Sequence, residues 1–253
     1  MKRKTKAKIN TKLVAIILFA IIILLTTNVA LNKKKTARTY SKFTLAPAII
    51  TNSQTINDAS KLNPTLVSRF YQPTSSNEIE NIVLQAGQQN KKIAISGVRH
   101  SMGGQAFLSN GIQIDMTRME RVSYNAKNQT VTAQAGATWK QIQAVLNTHG
   151  RAVAVMQDSN IFTVGGSVSV NAHGKDPRFG PLIATINSIK LVNAKGEEVF
   201  VSRDKNFDLF KAAIGGYGLF GIITEVNLKT VDNSTYAFSL REVRTSELLD
   251  EMQ

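Results

Sequence analysis

No cysteine occurs among the 253 residues, so the chain has no disulfide framework, no thiolate zinc site and no sulfur nucleophile. Histidine is almost as scarce. His100, His149 and His173 stand far apart, without an H-x-x-x-H spacing or a carboxylate cluster beside them, which argues against a metal centre. Acid is short as well: 31 Lys and Arg face 17 Asp and Glu, a formal charge of +14. That excess is unevenly spread. Residues 1–38 hold ten of the basic groups and no acid, leaving 21 basic groups against 17 acidic ones in the rest. The remainder offers no strongly basic face, so no nucleic-acid partner is expected. With 43% hydrophobic and 19% charged residues, the composition suits a globular chain and excludes disorder, collagen and coiled coil as whole-chain readings.

What is present begins with an apolar run. After a basic tail over residues 1–12, Leu13–Leu31 extends 19 residues without a charge, interrupted only by Thr26, Thr27 and Asn28. A membrane span needs ~20 mainly apolar residues. The expectation is an uncleaved single-pass anchor, with more basic charge before the span than after it placing the following domain on the exported side. A cleaved signal peptide ending near Asn28-Val29-Ala30, and hence secretion, is the alternative. Residues 32–63 read as a polar tether, and the domain is expected over residues 64–232.

Within that domain, TSSNEIENIVLQAGQQN predicts a helix: Ser75 and Glu78 have capping-box spacing, and Ile79, Ile82, Val83 and Ala86 recur at helical intervals. KKIAISG reads as a short strand ending in glycine. GIQIDM alternates Ile112, Ile114 and Met116, as a half-buried strand does. A hairpin is expected around Asn125–Asn128. A second helix then follows, with Thr138 as cap, Ile142, Val145 and Leu146 inward, and Gly150 as stop. Trp139 is expected to pack this helix, and His149 to sit favourably at its end. Another hairpin turns at Lys195-Gly196, followed by a short helix, NFDLFKAAI, and the strand GLFGIITEVNLKTV. Parallel β-α-β order mixed with antiparallel hairpins predicts an α+β fold.

Three glycine-rich segments adjoin strands. In the first, Ser96–Gln105, a Gly-rich turn exposes peptide N–H groups on one concave side, as a diphosphate requires, and Arg99 and Ser101 offer a charge and a hydroxyl. A tight surface turn is the alternative. The pattern is neither G-x-G-x-x-G nor a Walker loop. The second, Thr163–Lys175, consists mostly of small residues that permit close approach to a planar ligand or to another backbone. The third, Gly215–Thr224, ends in a strand whose main chain has an edge to offer.

The segments IAISGVRHSMGGQAF, GIQIDM, GATWKQIQAVLNTHG, FTVGGSVSVNAHG and LFKAAIGGYGLFGIITEV occur in the order and approximate spacing of one known domain. Residues 64–230 resemble the PCMH-type FAD-binding domain of the vanillyl-alcohol oxidase family, which is built of two α/β subdomains. GVRHSMGGQA is similar to the GHS-x-x-GQA loop of cytokinin dehydrogenases and to the GHS loop of alditol and sugar-lactone oxidases. The resemblance implies that Gly97, Val98, Arg99, His100 and Ser101, with Gly103, Gly104 and Gln105, wrap the FAD diphosphate. It also implies a covalent bond from His100 to the flavin 8α-methyl, a noncovalent FAD being the alternative. Val164, Gly165, Gly166 and Ser167 would lie along the isoalloxazine, with Asn171 and Gly174 beyond them. Gly221, Ile222 and Ile223 would meet the adenosine half. NAHGK resembles the HGK run of decaprenylphosphoryl-ribose oxidases, which puts His173 and Lys175 near flavin and substrate. Asp158 lies seven residues before Gly165, where cytokinin dehydrogenases carry a proton-accepting Asp; an exposed loop carboxylate is the alternative.

The implied activity is FAD-dependent oxidation of a CH–OH or CH–NH donor, a polyol, sugar or sugar lactone, by hydride transfer to flavin N5, with O₂ or another electron acceptor. Family members continue into a substrate-binding cap, and residues 233–253 resemble its start. A separate cap-bearing chain, or a membrane-tethered flavin-binding fragment without turnover of its own, are the corresponding alternatives.

Overall fold

The computed structural model describes residues 53–235, 237 and 242–251. The basic tail, the apolar run 13–31 and the tether up to residue 52 lie outside the described residues. Among the described residues no helix is long and apolar enough to cross a membrane.

Apolar periodicity builds the first layer. Strand β3 (Arg69–Tyr71) leads into α1 (Ser76–Gln88), which returns to β4 (Ile93–Ser96), and β5 (Ile112–Asp115) enters between them to give the parallel order β3-β5-β4. Ser75 caps α1 by accepting the Glu78 N–H, and Ile79, Ile82, Val83 and Ala86 are buried, as their spacing predicts. Glu78 closes the cap one residue earlier than the motif implies, accepting from the Thr74 N–H and hydroxyl. β5 is buried on both faces, Gln113 and Asp115 included, where a half-buried strand was expected. Ile112 and Ile114 join the shared core, while Gln113 is bonded to Ser96 of β4 and Asp115 to Arg99 of the chain that follows it.

The second layer is antiparallel. Its central path runs β10-β9-β11-β7-β6, from β6 (Val122–Asn125), β7 (Thr130–Gln134), β9 (Ile186–Val192), β10 (Glu198–Ser202) and β11 (Ile222–Asp232), with β8 (Arg151–Val153) pairing the end of β11. Both expected hairpins are present, and Gly196 turns the second at φ +72°. α2 (Trp139–Asn147) carries a complete capping box between Thr138 and Gln141; Trp139, Ile142 and Leu146 are fully buried and Val145 is half-buried. A shared core runs from α1 and β5 to Leu191 of β9 and Val226 of β11. These parallel and antiparallel parts make the α+β architecture that the element order predicts.

Two elements are additional to those expected. VGGSVS, to which the sequence pattern assigns no element, forms a short helix, α3 (Val164–Ser169). Glycine's poor helix propensity is overridden by packing: a Cβ at Gly165 would lie 2.7 Å from Ala135 Cβ, so only glycine lets this turn seat against the end of β7. Residues 53–63, read as tether, contain β1 (Gln54–Ile56), which pairs antiparallel with β2 (Thr65–Val67). Ile56 packs there with Val67 and Phe70 in a small separate cluster.

Candidate functional site

The first glycine segment leaves the carboxyl end of β4, at the edge where parallel sheets present their loops. Arg99 takes a left-handed φ of +59°, and its carbonyl accepts the Ala59 N–H at 3.0 Å. Asn63 Nδ2 donates to the Met102 carbonyl at 3.1 Å, and the Gly104 N–H donates to Asp58 Oδ2 at 3.2 Å. The Gly103 N–H is held by Gln105 Oε1 at 3.0 Å. Among the described residues, the peptide N–H groups of Val98, Arg99, His100, Ser101 and Met102 make no hydrogen bond, and Ser101 and Met102 are exposed. Successive free donors on one loop form an anion-binding concavity.

The side chain of Arg99 does not face that concavity. Its guanidinium turns inward to Asp115 Oδ2 at 2.6 Å and lies over the Phe70 ring, so the positive charge expected for a phosphate is committed to a buried carboxylate. Asp115 also accepts from the Thr117 N–H and hydroxyl. Beside it, Gln113 Nε2 donates to Ser96 Oγ at 3.0 Å.

The second segment begins at Thr163. The N–H groups of Val164, Gly165 and Ser167 are taken by the carbonyls of Ala137, Ala135 and Thr163. The Ser167 hydroxyl is buried too, accepting from Trp139 Nε1 at 2.9 Å and bonded to Gln157 Oε1 and the Thr163 carbonyl. Of the run Val164–Ser167, only Gly166 is exposed. Along this run, main-chain donors for a ligand thus reduce to that one position, because the carbonyls of Ala135 and Ala137 at the end of β7 take the Gly165 and Val164 N–H groups and Thr163 takes that of Ser167. Asn171 stands at φ +46° with Oδ1 accepting from the Ile183 N–H, so its side chain braces the segment.

The third segment closes on the other two. The Gly215 and Tyr217 N–H groups donate to the Val168 and Ser169 carbonyls, and a Cβ at Gly218 would lie 3.1 Å from Ile95 of β4. A Cβ at Gly97 would overlap Thr163 Oγ1, and His100 meets Phe162 edge-on with ring centroids 5.4 Å apart. First segment touches second, second touches third, and third returns to the strand that launches the first. Gly221 has φ +141° and allows β11 to start tight against Leu191. Ile222 and Ile223 are buried and pair with β9; pairing with β7 starts only at Glu225, so no strand covers their opposite edge among the described residues.

The candidate acid–base groups also gather. Lys175 Nζ reaches Asp158 Oδ1 at 2.7 Å, and a Cβ at Gly174 would lie 3.3 Å from the Met156 carbonyl, so the two loops lie side by side. Both charged side chains are about four-fifths exposed, at 77% and 82%. His173 Nδ1 contacts the Gly174 carbonyl at 2.8 Å. A carbonyl only accepts, so Nδ1 carries a proton and donates in this contact.

The residues that sequence reading missed are Asp58, Ala59 and Asn63, which hold the first loop. Asp58 lies below the usual carboxylate range because the Ser60 hydroxyl donates to it, with Asn63 and two peptide N–H groups adding to the effect. The only signal was Asn57-Asp58-x-Ser60-x-x-Asn63, a run of turn-forming side chains. Among the described residues no group of His, Asp and Glu could hold a metal.

This donor set suits a dinucleotide diphosphate. It offers consecutive free peptide N–H groups, and Asp58, which touches the loop, already has its charge met by hydrogen bonds. Residues 67–202 match the family described as FAD binding domain. The chain is 31% identical over 180 residues to L-gulonolactone oxidase of Mus musculus, a match covering 69% of this chain and 41% of that protein. It is 30% identical over 159 residues to cytokinin dehydrogenase 2 of Arabidopsis thaliana, covering 62% and 32%. With D-arabinono-1,4-lactone oxidase of Candida glabrata it shares 28% over 167 residues, covering 64% and 32%. The matched region thus spans less than half the length of these relatives. Converging glycine segments, open peptide donors and a match over more than half of its length lead to one conclusion: the chain belongs to the FAD-binding domain family.

Proposed function

We propose that this chain is the FAD-holding module of an oxidoreductase that withdraws two electrons from a CH–OH donor, with a polyol, sugar or sugar lactone as substrate class. A CH–NH donor is the finer alternative within the same chemistry. The observation that carries the proposal is the meeting of three glycine segments around a loop whose N–H groups, Val98 to Met102, are unpaired among the described residues. Two of the relatives above are named as lactone oxidases, which supports the lactone end of that substrate range. Bound FAD supplies the two-electron acceptor that no amino-acid side chain provides, and O₂ or another acceptor regenerates it.

The chain's own residues would then divide the work. Peptide N–H groups of the first loop hold the diphosphate. Gly166, exposed and without a side chain, lets a planar ring approach α3. The open edge of Ile222 and Ile223, after Gly221, receives the adenosine half. Gly97, Gly165 and Gly174 act by allowing close packing, and Val164, Ser167 and Asn171 brace the turn from inside. His100 projects beside Phe162 at the entrance to α3, which supports its bonding to the flavin ring. His173 Nε2 accepts the substrate proton, with Asp158 and Lys175 fixing the adjoining loops as a pair. The apolar run 13–31 fits a membrane anchor, with the module on the exported side.

The test uses the full chain purified in detergent with FAD. Acid denaturation should leave the yellow colour on the polypeptide, and His100→Ala should release it. Anaerobic addition of L-gulono-1,4-lactone or a simple polyol should bleach the flavin band. A desalted protein with no flavin absorbance, after saturation with FAD, would overturn the reading.

A further inference from the structure

The turn before β2 is not part of any glycine segment, yet it makes three separate bonds to the first one. We infer that Asn57–Asn63 is the positioning element of the anion loop: Ala59 and Asn63 hold the Arg99 and Met102 carbonyls, Asp58 holds the Gly104 N–H, and together they aim the intervening peptide N–H groups at a diphosphate. This rests on the FAD reading above.

The geometry follows from peptide planarity. In a trans peptide the carbonyl of one residue and the N–H of the next point in opposite directions. Fixing the Arg99 carbonyl on Ala59 at 3.0 Å therefore turns the His100 N–H away from the turn. Fixing the Met102 carbonyl on Asn63 at 3.1 Å does the same for the Gly103 N–H, which Gln105 then engages. A loop without these ties could rotate each peptide and would lose its donors' common direction. Ordering them beforehand removes that entropy loss from the binding step.

The turn is stiff enough for this task because it is knotted on itself. Asn57 Oδ1 accepts the N–H groups of Asp58 and Asn63 at 2.9 and 3.1 Å. Asp58 Oδ1 accepts the Ser60 N–H and hydroxyl, and Asp58 Oδ2 accepts Asn63 Nδ2 at 2.7 Å. On either side the chain is fixed by the β1–β2 pairing, Ile56 opposite Thr65. The far end of the loop is anchored too, since Phe107 packs on Ile56, Val67 and Phe70. Asp58 itself is buried, and the cross-bond it accepts comes from Gly104, beyond the free donors.

The experiment compares Asn63→Ala and Asp58→Asn with the wild-type full chain in detergent, titrating FAD, ADP and riboflavin separately. Loss of a bond that ties the loop, the Met102 carbonyl to Asn63 or the Gly104 N–H to Asp58, should raise the dissociation constants of FAD and ADP about tenfold. Riboflavin, which lacks phosphate, should bind unchanged, although the melting temperature of the FAD-free protein should fall somewhat with Asn63→Ala, which also takes a donor from buried Asp58. Unchanged FAD and ADP affinities would overturn the inference, as would a loss shared equally by riboflavin, because a merely structural residue would weaken all three. Should Asp58→Asn fail to fold, Asn63→Ala decides alone, since it leaves the carboxylate in place. A wild-type chain that binds neither FAD nor ADP sinks the FAD reading itself, whereas wild-type binding with indifferent variants sinks only the positioning role.

Discussion

Removing the Arg99 guanidinium separates two accounts of that residue. Sequence reading puts its charge on a phosphate; the structure turns it onto Asp115, whose side chain is 1% exposed. In Arg99→Ala, Asp115 Oδ1 keeps the Thr117 donors, but Oδ2 has no donor left among the described residues. Breaking a buried ion pair from one side costs about 3–5 kcal/mol. The Arg99 side chain is 30% exposed, so water reaches the vacated space and lowers the expected loss to about 2–3 kcal/mol. Alanine is the right replacement because glycine would relax the φ of +59° and blur the measurement. The assay is urea unfolding of the FAD-free full chain in detergent. Adding Asp115→Asn to Arg99→Ala should recover at least about 1 kcal/mol, since the two sites are in contact and the stranded charge is then gone. An Arg99→Ala protein within about 0.5 kcal/mol of wild type, the range of an ordinary surface substitution, would refute the reasoning. So would a double variant with no recovery. If stability held while FAD affinity collapsed and became less salt-sensitive, the guanidinium would belong to the phosphate after all.

Adjacent glycines in α3 should respond in opposite ways. Gly165→Ala sets a methyl 2.7 Å from Ala135 Cβ and 2.8 Å from its carbonyl oxygen, and overpacking of about 1–3 kcal/mol should outweigh the helix-propensity gain of about 1 kcal/mol. Gly166→Ala meets only Thr163 Oγ1 at 3.1 Å, so the same propensity gain should leave it slightly more stable than wild type while flavin affinity falls. Acid should destabilise the fold in a defined window. Asp58 is lowered, chiefly by the Ser60 hydroxyl, and Asp176 is pulled down to about 2 by the Arg178 side chain. A carboxylate whose folded pKa is depressed contributes stability above its unfolded value of about 3.9, and that contribution disappears as pH falls through the folded value. Unfolding free energy measured from pH 5 downward should therefore drop below pH about 4, and Asp58→Asn should flatten part of the slope. A wild-type profile no steeper than that of Asp58→Asn would contradict this.

The fold was legible wherever periodicity reports on one partner. Ile79, Ile82, Val83 and Ala86 are buried along one stripe of the helix, so their spacing alone places α1. The same logic failed at β5, because a strand covered on both faces has no polar side to alternate. Its Gln113 and Asp115 look like solvent-facing residues until the Arg99 loop closes over them. α3 failed for the converse reason. Nothing local in VGGSVS favours a helix, and only the distant Ala135 makes glycine the residue that fits.

The site divides along the same line. Glycine content marks which backbone comes close to something, and all three marked segments do meet. It does not say whether the close neighbour is a ligand or the protein itself. Gly97 and Gly165 turn out to be packed against Thr163 and Ala135, while Gly166 and the stretch from His100 to Met102 are exposed. What decides between these outcomes is the direction of each peptide, and direction is set by partners remote in sequence. The Arg99 and Met102 carbonyls are held from residues 59 and 63, about forty positions away and in a stretch whose polarity looked like a tether. A loop that presents N–H groups must satisfy its carbonyls elsewhere. An anion site therefore implies donors behind it, and in this chain those donors, the Ala59 N–H and Asn63 Nδ2, lie in a short run rich in Asn, Asp and Ser with no glycine in it.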